Sequence, residues 1–331
     1  MIEKTEARIF FVELDQSIHA VVQLSDSLLH YPLAIEPKWL RSRGASAAAS
    51  QVKEWRVQLM NGDFEESFEL GEILYRTILA PLMPTLKANN IEHLQLISNG
   101  VLRTVPIAAL NDGEKYLIEH FTLSYSNGLG NQVSPSLQRE GLPLIAGLTR
   151  STAKFPNKLK FAEREALSVQ TLLGGTILLD NTFSAQSLKT QLQSSSYQIL
   201  HLATHASFSF VRNRAFIETG TQTISLNQFE SILKQRRSPL QLLVLSACQT
   251  AVGDRYSALG LLGVGLRNNI DVVVGSFWEV GDSSTARQMK KLYELWQQGA
   301  SLPEALRQVQ LGLIREGELP ADWASFVVAF N

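Results

Sequence analysis

Leu242-Leu243-Val244-Leu245-Ser246-Ala247-Cys248-Gln249-Thr250 runs from apolar and β-branched residues into small ones and ends at the only cysteine of the chain. A short run that is apolar at every position reads as a strand buried on both faces in a parallel sheet. Tyr197-Gln198-Ile199-Leu200-His201-Leu202-Ala203-Thr204-His205 has the same character upstream and ends in a histidine. Parallel sheets place ligands and reactive groups just beyond the carboxyl ends of their strands. Neighbouring strands lie about 4.8 Å apart, so two such strands side by side bring His205 and Cys248 onto one rim.

Strands and helices alternate on both sides of this pair. Leu142–Leu148, Thr176–Leu179, Asp271–Phe277 and Ser325–Phe330 read as further strands. Between them lie helical stripes at Ala162, Ala166, Val169 and Leu173, and at Ala185, Leu188 and Leu192 after a capping Ser184. Others fall at Leu226, Phe229 and Leu233, over Ser257–Leu266, at Ala286, Met289, Leu292 and Leu295, and after the Ser301/Glu304 capping pair. This alternation predicts a mostly parallel sheet with helices on both faces over 141–331. Upstream, Arg8–Leu14 and Ile18–Leu24 read as a β-hairpin, followed by a polar helix-plus-loop segment. A helix from Phe64 to Ala88 is broken or bent by Pro81 and Pro84. Strands are expected at His93–Ser98, Tyr116–Ile118 and Phe121–Tyr125. The polar stretch Asn127–Gly141 is the expected linker, giving segments 1–70, 71–140 and 141–331.

Charged residues make up only 18% of the 331 residues, below the roughly 25% usual for soluble domains, which favours a large buried core. A net charge of -1 offers no basic field for nucleic acid or an anionic membrane. No apolar run reaches the roughly 20 residues of a membrane span, and no signal-peptide core follows Met1. One cysteine permits no internal disulfide, so a cytoplasmic protein is expected.

A cysteine at the end of an apolar run is commonly a small buried hydrophobe. A histidine at the matching end of a second strand changes the weighing. Thiolate is the attacking species, and a nearby imidazole both activates the thiol and protonates the leaving amine. Backbone amides of Ala206 and Cys248 are candidate oxyanion donors. His201 and His205 are four apart, which on a helix suggests a metal pair. On a strand without Cys, Asp or Glu nearby to complete a shell, that reading fails, so no metal or other cofactor is expected. His201 reads instead as a hydrogen-bonded core residue. Ser246 lacks a nucleophile-elbow context. Gly260–Gly265 fits no phosphate loop and reads as a helix packed closely on the sheet. Asp282 is either the N-cap of the helix that follows it or a carboxylate that selects a basic substrate side chain, and Asp254 is a second candidate for that pocket.

His201-Leu202-Ala203-Thr204-His205, Leu245-Ser246-Ala247-Cys248-Gln249-Thr250, Ser276-Phe277-Trp278-Glu279-Val280-Gly281-Asp282 and Trp323-Ala324-Ser325-Phe326 resemble, in order, the motifs of the CHAT domain family. That family belongs to the caspase, separase and gingipain clan of cysteine peptidases. The likeness extends back through Leu74-Tyr75-Arg76, Leu79-Ala80-Pro81 and Leu102-Arg103-Thr104-Val105-Pro106. It implies a caspase-like α/β/α sandwich, with His205 as general base and acid and Cys248 as nucleophile. An Asp at the position of Asp282 reads a basic P1 residue in separases. Separases also carry an inactive caspase-like half ahead of the active one, which residues 71–140 would supply. Two departures stand out: Ala206 where the family has glycine, and Gly281 where it carries an acidic residue.

The resulting expectation is a cysteine endopeptidase that cleaves a protein substrate, regulated by a recognition partner for which a repeat-containing protein is the candidate. The rival is a catalytically silent scaffold of the same fold, which Ala206 favours. The link from Cys248 to the next strand is short and helical, which argues against activation by cleavage there.

Overall fold

The chain divides into two units, Met1–Val133 with Gln310–Ser325, and Ser134–Val309 with Phe326–Asn331. A computed structural model describes residues 2–14, 17–33, 46–126, 137, 139, 141–150, 159–207, 216–248, 260–278 and 280–331.

In the first unit, β1 (Glu6–Glu13) pairs antiparallel with β2 (Ile18–Gln23), as the alternating apolar residues predict. β2 pairs in turn with β3 (Leu28–Leu33), a strand the sequence reading assigned to a helix-plus-loop segment. Pro32 and the alternation of half-buried and exposed residues hide β3 in the sequence, since proline cannot donate to a ladder and reads as loop. On its other side β1 runs parallel to β4 (His93–Ser98), which runs parallel to β5 (Thr122–Ser126). Residues from 1–70 and 71–140 therefore share one sheet. The helix from Phe64 ends at Ile78, and Pro81 and Pro84 then start a 3₁₀ turn, Ala80–Leu82, and a short helix, Met83–Ala88. Tyr116–Ile118 is not the expected strand. Leu117–His120 is one helical turn, because the Glu119 carboxylate accepts the Tyr116 amide at 2.7 Å and closes it. The Tyr116 ring packs edge-on against Trp323 at 4.8 Å.

The second unit has the predicted parallel sheet. β6 (Pro143–Gly147) lies between β7 (Thr176–Leu179) and β8 (Ile199–Ser207). A hairpin of three-residue strands, β9 (Phe216–Glu218) and β10 (Thr223–Ser225), extends the far end of β8, too short to register as strands in sequence. β8 runs parallel to β11 (Leu242–Cys248) and β11 to β12 (Val272–Ser276), while β13 (Phe326–Phe330) closes the edge antiparallel to β12. β6 and β12 are buried at every position, as strands covered on both faces must be. Connections leave β6 toward β7 but leave β8 toward β11, so the β6/β8 pair is the switch point at which such sheets open a crevice. Helices Ala162–Leu173 and Asp282–Gln297 pack together, and helices Ala185–Ser194 and Leu226–Lys234 do likewise.

Helix Gly260–Arg267 packs on β12 at close range, as its glycines suggest. A Cβ on Gly265 would lie 2.6 Å from Val273 Cγ2 and 3.0 Å from Leu243 Cδ2. Neither neighbour is loose, so Gly265→Ala is expected to destabilise by about 1–3 kcal/mol through overpacking. Urea denaturation checks it, and an unchanged midpoint would show that the helix can retreat. Among the described residues no helix is long and apolar enough to cross a membrane.

Candidate active site

β8 and β11 are in parallel register over seven residues, from Leu242 opposite Ile199 to Cys248 opposite His205. The two residues singled out in the sequence are thus Cα partners at the carboxyl ends of adjacent central strands. His205 is buried, at 4% exposure. The Cys248 side chain and Asp254 lie outside the described parts of the chain. Ala206 continues β8 as the partner of Ile217, and its φ is not positive, so the methyl that replaces glycine there introduces no backbone strain. Ser246 is buried within β11, opposite Ala203.

Side chains alternate along a strand, so His201, Ala203 and His205 share a face of β8. That face is identified by His201. Its Nε2 lies 2.9 Å from Glu165 Oε1 on helix Ala162–Leu173, and its Nδ1 lies 3.1 Å from the Tyr293 hydroxyl on helix Asp282–Gln297. All three side chains are buried, His201 fully and Glu165 at 2%. Burial, and then the Glu165 charge, hold the Tyr293 phenol well above its usual range, so it stays protonated. The Glu165 carboxylate and the Tyr293 phenol thus engage the two ring nitrogens from different helices. Both ring nitrogens are engaged by side chains, which leaves neither open to a metal ion in this arrangement. Among the described residues no group of three or more His, Cys, Asp or Glu is arranged to hold a metal ion.

Glu165 and Tyr293 were not singled out in the sequence, though a signal exists. Both interrupt the core-facing stripes of their helices, a carboxylate beside Ala162, Ala166 and Val169 and a phenol beside Met289, Leu292 and Trp296. A polar group on such a stripe requires a buried partner.

Asp282 opens its helix but does not cap it. Gly281 occupies the N-cap position without a side chain, and the Asp282 carboxylate reaches across to the helix Ala162–Leu173 instead. Phe161 N donates to Asp282 Oδ2 at 2.7 Å, and the Lys160 amide adds a second bond. These are the free amides of a helix N-terminus, which favours negative charge. Burial raises the Asp282 pKa above its usual value and the Glu165 charge raises it further, against the lowering by the two amides and by His205. Asp282 is therefore within electrostatic reach of His205. A Cβ on Gly281 would meet nothing within 4 Å, so the acidic side chain that the family carries there has room.

The architecture has known counterparts. The structure of the Saccharomyces cerevisiae separase–securin complex aligns with 98% of this chain at a TM-score of 0.56 and 10% identity, and the chain spans 30% of the length of that one. Gingipain R, an Arg-specific cysteine proteinase, aligns over 81% of this chain and 67% of its own at 0.45 and 9% identity. The complex of the pro- and mature domains of RgpB from Porphyromonas gingivalis covers 86% of this chain and 75% of its own, at 0.46 and 10% identity. No curated protein matches the sequence. The fold is that of caspase-like cysteine peptidases, and the CHAT domain matches residues 69–331, so the chain belongs to the CHAT domain family.

Proposed function

We propose that this protein is a cysteine endopeptidase in which Cys248 attacks the scissile carbonyl and His205 acts as general base and then acid. The observation that carries the reading is the register of β8 and β11, which makes these two residues partners at the rim where parallel sheets bind substrate. Attack by the thiolate forms an acyl-thioester and releases the amine with a proton from His205, and water then hydrolyses the thioester. Amides of Ala206 and Cys248 are the proposed oxyanion donors. In this reading residues 71–140, whose strands β4 and β5 run parallel, correspond to the inactive half of a separase-like pair. A protein partner supplies recognition or activation, a role consistent with the separase having been captured together with securin.

Asp282 is the proposed determinant of a basic P1 residue. Its half-buried carboxylate stands at the same rim, and Asp254 remains a second candidate. A mixed peptide library, with and without host lysate, tests this. Wild type is expected to cleave after Arg or Lys, and Asp282→Asn to lose that preference by at least about tenfold, the value of one charge-assisted contact near 1.4 kcal/mol. Cleavage after apolar residues would remove Asp282 from the pocket. The substitution should not cost stability at neutral pH. An acid whose pKa is raised on folding stabilises below its unfolded value and loses that contribution as pH rises through the folded one. The neutral amide of the Asp282→Asn variant has no such loss, and its oxygen still accepts from Phe161 N.

A catalytically silent scaffold is the second reading, raised by Ala206 in place of the family's glycine, although that residue carries no positive φ and no backbone strain. Failure of a thiol-reactive peptide electrophile to label wild type, with no cleavage in either condition, would establish it.

A further inference from the structure

We infer that Glu165 is a positioning residue for His205, an inference that rests on the cysteine-peptidase reading above. Glu165 sits at the fourth position of the helix Ala162–Leu173. At that turn the helix is bound to β8 through the Glu165–His201 contact. Just before its first turn it is bound to the start of a second helix, Asp282–Gln297, through the Phe161–Asp282 contact. Tyr293 closes the loop by joining that second helix to the same imidazole. One buried ring thus fixes both helices on the face of β8 that carries His205 four residues further on. Loss of the Glu165–His201 bond frees the helix N-terminus to shift, and Asp282 moves with the amides that hold it.

The groups facing Glu165 are His201 from β8 and Tyr293 and Asp282 from the second helix. Asp282 faces the Phe161 and Lys160 amides, Glu165 and His205. His205 faces Asp282 and has Cys248 as its strand partner. A carboxylate beside an imidazole favours the imidazolium, and imidazolium favours the thiolate. The thiolate population at Cys248 therefore reports where Asp282 stands.

Because the chain has one cysteine, alkylation by iodoacetamide reads that site without a substrate. Wild type is expected to show a shoulder of reactivity below the usual thiol range that His205→Ala abolishes. Glu165→Ala should weaken the shoulder by about threefold or more, as a small misplacement of a catalytic group does. Glu165→Gln, which keeps an acceptor for His201, should retain most of it. A Glu165→Ala profile that superimposes on wild type in a folded protein overturns the inference and leaves the dyad standing. Absence of the shoulder in wild type overturns the dyad, and this inference with it. If circular dichroism shows Glu165→Ala unfolded, Tyr293→Phe carries the same comparison, since it removes only the hydroxyl at Nδ1. Weakening in that variant supports the inference, and superposition on wild type overturns it.

Discussion

Cys248→Ala and His205→Ala are each expected to lower kcat/KM on a cleaved peptide by about a thousandfold or more, with the double variant no worse than either single. The size follows from the chemistry. The thiolate supplies the covalent path, and a positioned acid–base group alone contributes about 10²–10⁴-fold. Non-additivity follows because the two residues act as one unit: a thiol without its imidazole and an imidazole without its thiol lose the same step. The partnership of residues 205 and 248 at the ends of β8 and β11 is what this prediction tests. Parallel first-order assays of the three variants on one peptide suffice. Undiminished turnover in Cys248→Ala would remove the nucleophile and the proposed mechanism together.

The largest effect on stability is expected from His201→Leu. The imidazole is the hydrogen-bond partner of Glu165, and the substitution leaves that carboxylate at 2% exposure facing a hydrocarbon side chain. Removing the partner of a buried carboxylate costs about 3–5 kcal/mol, because the remaining charge keeps its desolvation penalty. For a domain of this size that corresponds to a fall in melting temperature of roughly 6–20 °C. Adding Glu165→Leu should restore most of the loss, since an apolar pair of similar volume carries no unpaired charge. A double-mutant cycle by chemical denaturation measures the coupling. A His201→Leu protein within about 1 kcal/mol of wild type would mean that Glu165 is neutral in the fold and that the cluster holds no buried charge.

The second unit's alternation of strand and helix is written in its residues, and so are the ends of two buried strands at His205 and Cys248. Continuous apolar runs such as Leu242–Leu245 leave only one environment open to them, a sheet covered on both faces, and that local pattern is legible without coordinates. Edge and short strands were not legible. β3 contains a proline, and β9 and β10 are three residues each, so pairing partners rather than local preference hold them extended. The helical turn at Leu117 likewise depends on the Glu119 carboxylate closing on Tyr116, a contact that outweighs the strand preference of Tyr and Ile. Which strands are neighbours, and which side chains meet across them, follows from packing in three dimensions. That packing placed Glu165 and Tyr293 on His201, from helices 36 and 92 residues away in sequence. It also gave the Asp282 carboxylate to a neighbouring helix rather than its own. The reason is physical: a buried polar group takes whichever partner the packed helices bring within about 3 Å, and no sequence spacing records that choice.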